Sequence, residues 1–157
     1  MRHSHVLVVL LSLAGSAGDA VAEGQGERQA ATAIAGPVEA RVVKVHDGDS
    51  FSVDALVWPG TSVSVSIRVR GIDAPELRSK CPHERWLARQ SRAELAERLA
   101  LANVHLRNIG GDKYYGRVLA DVTLADGSDL AQVLLENRLA RPYGGERRKG
   151  WCSPVQY

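Results

Sequence analysis

Three observations predict the fold class: five short stretches patterned as strands, a long run of helix formers between the third and fourth, and a shorter helical run after the fifth. They predict an α+β domain, mainly β, built as a five-stranded OB-fold barrel with one helix between strands 3 and 4 and a second short C-terminal helix. The 157 residues suffice for one such domain and not for two of ordinary size. Hydrophobic residues at 45% and charged residues at 24% exclude a mostly disordered or fibrous chain.

Each element has its own signal. Residues 40–45 are β-rich, Asp47-Gly48 marks a turn, and 51–57 resume an apolar pattern, so the pair predicts a hairpin. Trp58-Pro59-Gly60 makes the next turn. Over residues 62–70 the alternation is strict, with Val63, Val65, Ile67 and Val69 on one face and Ser62, Ser64, Ser66, Arg68 and Arg70 on the other. Pro82 suits a first helical turn, and residues 83–102 predict a helix with Leu87, Leu95 and Leu99 as its buried stripe. Residues 104–109 and 117–124 predict two further strands, separated by Gly110-Gly111 and a polar, tyrosine-containing loop. Residues 130–137 predict the second helix, with Asp129 and Gln132 at capping-box spacing. Residues 138–157 carry five basic side chains and read as an irregular tail.

The N-terminal end predicts export. Arg2, His3 and His5 precede the apolar run 6–14, and Ala20-Val21-Ala22 fits a small-x-small cleavage site, giving a signal peptide over 1–22. An uncleaved anchor is the alternative, although the apolar run is short for a bilayer span. Residues 23–36 read as a flexible leader and 37–157 as the folded domain, secreted or periplasmic and free of membrane after cleavage. The full chain carries a formal charge of +2, so a nucleic-acid partner has to be read from local arrangement rather than bulk charge. Cys81 and Cys152 make an even count in an exported chain, which predicts one disulfide, with two buried free thiols as the alternative. Closing so long a loop stabilises by about 4 kcal/mol in the chain-entropy model.

Three polar clusters fall near predicted strand ends. These are Asp47-Gly48-Asp49-Ser50, then the run from Arg68 and Arg70 through Gly71-Ile72-Asp73-Ala74-Pro75-Glu76, then Tyr114-Tyr115-Gly116-Arg117. Singly each has an ordinary explanation: a turn, a solvated strand face, a loop. The first is not an EF-hand, since Ser52 and Trp58 stand where the glycine and the bidentate glutamate belong.

In combination and in this order, the three clusters resemble the staphylococcal-nuclease-like (thermonuclease) family, from about residue 37 to Tyr143. The resemblance implies an OB-barrel, calcium-dependent phosphodiesterase acting on DNA and RNA, and a monomer. It implies Asp49, Asp73 and the Ala74 carbonyl as ligands of Ca2+, Glu76 as general base, and Arg68 and Arg117 as the phosphate-binding, charge-stabilising pair. Asp47 is expected to brace the turn; Arg70, Tyr114, Tyr115 and Tyr143 are candidate substrate contacts. The chemistry agrees with these residue types. Attack on a phosphodiester builds negative charge that hard cations and forked guanidiniums meet, and the attacking water needs a proton acceptor. Ser50 in place of the usual Thr, Tyr114 in place of the usual Lys, and a tail where a long third helix is usual depart from the pattern. A non-catalytic OB module holding single-stranded nucleic acid through Arg68, Arg117 and the basic tail is the competing expectation. Retention of Asp49, Asp73 and Glu76, whose charge repels phosphate, weighs against it.

Overall fold

Residues 33–100 and 103–152 are described in the computed structural model of the protein. The expected signal peptide, 1–22, and residues 23–32 of the expected leader lie outside them. In chain order the elements are β1 (Ala33–Ile34), β2 (Val38–Val45), β3 (Ser50–Trp58), β4 (Thr61–Val69), β5 (Ile72–Asp73), α1 (Pro82–Arg98), β6 (Asn103–Gly111), β7 (Arg117–Thr123), α2 (Leu130–Glu136) and β8 (Arg141–Pro142). The five long strands close on themselves: β2 pairs β3, β3 pairs β4, β4 pairs β7 in parallel, and β6 joins β7 to β2. A closed, mixed five-stranded barrel with two helices is consistent with the expected OB-type architecture. The leader is not loose throughout, because β1 within it pairs antiparallel with β6.

Alternation fills the barrel. Phe51 and Val53, Ile67 and Val69, Val104 and Leu106, and Ala120 and Val122 are all buried, joined by Leu95, Leu99, Leu130 and Leu134 from the helices and the residues flanking them. Fully burying an aliphatic or phenyl side chain contributes about 1.5–3 kcal/mol, so the inward faces of the strands dominate the stability of the barrel. The expected alternation of β4 holds at Ile67 and Val69, whereas Val63 is exposed. The β3–β4 hairpin projects beyond the barrel there, leaving Leu56, Val57 and Trp58 exposed as well.

Helix α1 differs from its expected span of 83–102. It ends at Arg98, with Leu99 at its C-cap. Its buried face runs through Glu84, Ala88, Ser91 and Leu95, while Leu87, expected in the stripe, is half-buried. Small residues occupy this face because the helix lies directly on the Asp47–Ser50 turn. A Cβ added to Gly48 would stand 2.1 Å from Ser91 Oγ and 2.9 Å from the Ala74 Cβ. Ser91 is itself fixed, its hydroxyl donating to the Leu139 carbonyl at 2.9 Å. Gly48→Ala is therefore expected to cost about 2 kcal/mol of stability through overpacking. Denaturant melts check this, and an unchanged midpoint would contradict the close packing.

One arm of the capping box expected for α2 is present, since the Asp129 carboxylate accepts the Gln132 N–H at 2.9 Å, while the Gln132 side chain donates instead to Glu136 at 2.8 Å. Among the described residues, no helix is long and apolar enough to cross a membrane.

Candidate active site

The site grows from three backbone constraints. In the Asp47–Ser50 turn, Asp47 accepts the Ser50 hydroxyl at 2.6 Å and the Asp49 N–H at 3.3 Å, which orients the turn. The β3–β4 register sets Ser50 opposite Arg68, and the Val69 N–H donates to the Asp49 carbonyl. Asp49 and Arg68 thus meet: Arg68 Nη1 donates to Asp49 Oδ1 at 3.0 Å, while Asp49 Oδ2 accepts the Ala74 N–H at 3.0 Å. The parallel β4–β7 ladder sets Ser66 opposite Arg117 and Arg68 opposite Leu119. Period-two alternation then puts Arg68 and Arg117 on one face of neighbouring strands.

One cleft of about 1100 Å³ is lined by Asp47, Asp49, Arg68, Arg70, Asp73, Ala74, Glu76, Tyr114, Arg117 and Tyr143, with Arg148 among them. A second groove, of about 640 Å³ between β2 and α1, is lined by no carboxylate and offers no acid or base. Glu76 has a side chain 59% exposed in the cleft, facing Arg148 Nε at 3.4 Å. Arg117 pairs through Nε with Asp112 and lies 4.6 Å over the Tyr114 ring. Tyr143 donates its hydroxyl to the Glu146 carbonyl at 2.7 Å. Arg70 is engaged at the edge, with Asp121 at 3.2 Å and the Asn108 and Leu119 carbonyls. Tyr115 is fully exposed and does not line the cleft.

Asp73 is 2% exposed, and both its oxygens are taken. Arg141 Nη2 and Trp151 Nε1 donate to Oδ2 at 2.9 and 3.1 Å, and Arg148 Nε donates to Oδ1 at 2.9 Å. Antiparallel pairing of β5 with β8 places Asp73 opposite Arg141. Arg148 Nη2 reaches the Ala74 carbonyl at 3.1 Å and Glu84 Oε1 at 2.6 Å. Glu84, 3% exposed, also accepts the Ser79 hydroxyl and the Glu76 N–H. Cys81 and Cys152 are joined in the expected disulfide, which pins the tail a few residues past Arg148.

The hard oxygens of Asp49, Asp73 and the Ala74 carbonyl have the chemistry that calcium prefers. Their arrangement does not fit the ion. Asp73 and the Ala74 carbonyl face guanidinium and indole donors, and Asp49 faces Arg68 and a backbone N–H. Among the described residues, no group of three or more His, Cys, Asp or Glu is placed to hold a metal.

Glu84, Asp112, Arg141, Arg148 and Trp151 escaped sequence reasoning. The available signal was the five cationic residues of the tail beside a cysteine, which imply buried carboxylates for them to meet.

Burial raises the Glu84 carboxyl, but bonds from Arg148, Ser79 and the Glu76 N–H outweigh it and hold it below its ordinary 4.5. At Asp112 burial is likewise outweighed, by Arg117 and the Lys113 N–H. Such carboxylates contribute stability that is present above the unfolded value and lost as pH falls through the folded one. Asp49 runs the other way: burial pushes it up to about 7 against the pull of Arg68, with Asp47 adding to the rise. Its share of stability falls as pH rises from 3.8 toward about 7. Melting temperature is expected to drop on acidification below 4.5, less steeply in Glu84→Gln than in the wild type. Equal slopes in the two proteins would remove Glu84 from the account.

Barrel and cleft together set paired guanidiniums and clustered carboxylates at one mouth of a small closed sheet. Residues 66–150 match the family model of the staphylococcal nuclease homologues, and the chain belongs to that family. No curated protein matches the chain.

Proposed function

We propose that the protein is an exported phosphodiesterase that hydrolyses DNA and/or RNA as a monomer. The observation that carries this is the convergence of Arg68, Arg117 and Glu76 on one cleft. A phosphate lying across β4 and β7 meets two forked guanidiniums, which donate to the oxygens where charge develops. Glu76, exposed in the same cleft, takes the proton of the attacking water. Family membership and the nuclease motifs support the same chemistry. Export is supported by the apolar N-terminal run and by the disulfide.

A calcium requirement is part of the proposal on the strength of the family resemblance alone, since the oxygens of Asp49, Asp73 and the Ala74 carbonyl are engaged by protein donors. The roles proposed for Arg68, Arg117 and Glu76 are supported by the cleft that all three line. Digestion of single-stranded DNA by the protein, with calcium and with chelator, is the direct test. Cleavage lost in chelator is the expected result. Binding of single strands without cleavage in calcium would replace the enzyme with a binding module.

A further inference from the structure

We propose that the groove between β2 and α1 carries the single-stranded stretch that flanks the phosphate held in the cleft, and grips it by its phosphates. This rests on the nuclease reading for what the cleft itself holds. Groove and cleft share Lys44, Val45 and Arg92 in their walls, so a strand that leaves one enters the other. Arg41, Lys44, Arg89 and Arg92 line the groove, and no carboxylate does. Arg41 is paired with Asp54 at 2.5 Å, and Arg98 farther along α1 with Glu94 at 2.6 Å. Lys44, Arg89 and Arg92 are exposed and, among the described residues, make no ion pair or side-chain hydrogen bond. Three unpaired cations beside a cleft that takes a phosphodiester complement the charge of the chain on either side of it.

Local structure explains why these side chains face the groove. Val42 lies opposite Val53 and Lys44 opposite Ser52, which leaves Val43 as the extra residue of a β-bulge. Strict alternation would turn Lys44 inward with Val42, which packs on the core, and the bulge turns it out instead. On α1, Arg89, Arg92, Ala93 and Ala96 stand three and four positions apart and share one face. The alanines keep the groove open. From Arg89 to Ala96 that face runs about 10 Å, the length of about three stacked nucleotides. Among the described residues, no aromatic side chain lines the groove, so it has no platform for bases and holds the backbone, without regard to sequence and with strong salt dependence. An acidic peptide would match the charge but would have no reason to continue into the cleft.

The test is a binding measurement that needs no turnover. Oligothymidylates of about 3 and about 12 nucleotides are titrated into the full chain in chelator over a range of salt, with strand length checked afterwards. Four proteins are compared: wild type, Lys44→Gln with Arg89→Gln and Arg92→Gln, the single variant Ala96→Glu, and Lys80→Gln with Arg107→Gln and Arg138→Gln. The last removes the same charge from exposed positions outside both groove and cleft. Melting temperatures establish that each is folded. Wild type and the charge control are expected to bind the longer strand about tenfold or more tighter than the shorter, and both groove variants to lose that advantage. The triple groove variant should also lose about 2 from the salt slope of the longer strand, at about 0.7 for each phosphate contact. No length advantage in wild type, an advantage that survives in either groove variant, or an equal loss in the control overturns the proposal. Polyglutamate binding that depends on Lys44, Arg89 and Arg92 while DNA binding does not overturns it too, and assigns the groove to an acidic protein. Hydrolysis of the longer strand in calcium is run in parallel. Cutting without a groove-dependent length advantage rejects the groove alone, and that advantage without cutting rejects the nuclease alone.

Discussion

Glu76→Gln is expected to lower turnover by about 100-fold or more while leaving the protein folded and able to bind single strands. The amide matches the carboxylate in size and still hydrogen-bonds, but it cannot accept a proton from water at neutral pH. Stability should barely move. The side chain is 59% exposed, and its one ionic contact among the described residues is the 3.4 Å approach to Arg148. Exposed pairs of that kind contribute about 0–1 kcal/mol. Single-turnover rates, strand affinity and melting temperature measured on one preparation separate loss of the base from loss of the fold. A folded variant with wild-type turnover would exclude Glu76 as the base.

Arg68→Lys and Arg117→Lys are each expected to cost about 100-fold or more in turnover, since lysine keeps the charge but not the fork that meets two phosphate oxygens at once. The two variants should differ in stability. Arg68 is the charged partner of Asp49, which is 4% exposed, and it also reaches the Ile72 carbonyl at 3.4 Å. Leaving a buried carboxylate poorly paired costs about 1–3 kcal/mol. Arg117 answers to Asp112 at the edge of the cleft and stacks on Tyr114, so its replacement should disturb the loop more than the barrel. Turnover and denaturant midpoints check both claims. A wild-type rate in either variant would demote that arginine to a surface contact.

What could be read from the sequence was local. The alternation through Ile67 and Val69, the Asp47-Gly48 turn and the Asp129–Gln132 cap are decided within a few residues, and each is in place. The gathering of Asp49, Arg68, Glu76 and Arg117 in one cleft followed from motifs at strand ends once the barrel closed. The partners of Asp73 did not. Arg141, Arg148 and Trp151 lie 68, 75 and 78 positions away in the chain, and only tertiary pairing brings them there. The α1 stripe was misjudged for a related reason. Leucines mark a helix face by apolarity, whereas Ala88 and Ser91 mark it by smallness, which matters only because Gly48 presses against them.

The parallel ladder of β4 and β7 has a further meaning. It is the seam along which the barrel shuts, and the two arginines sit on opposite sides of it. Their separation is set by main-chain pairing and not by the reach of their own side chains. Under the proposed function, turnover is therefore expected to act as a local strain gauge. An opening confined to the seam would part the guanidiniums while the remaining hairpins stay paired, so turnover is expected to fade at denaturant concentrations where bulk spectroscopic signals still report a folded protein.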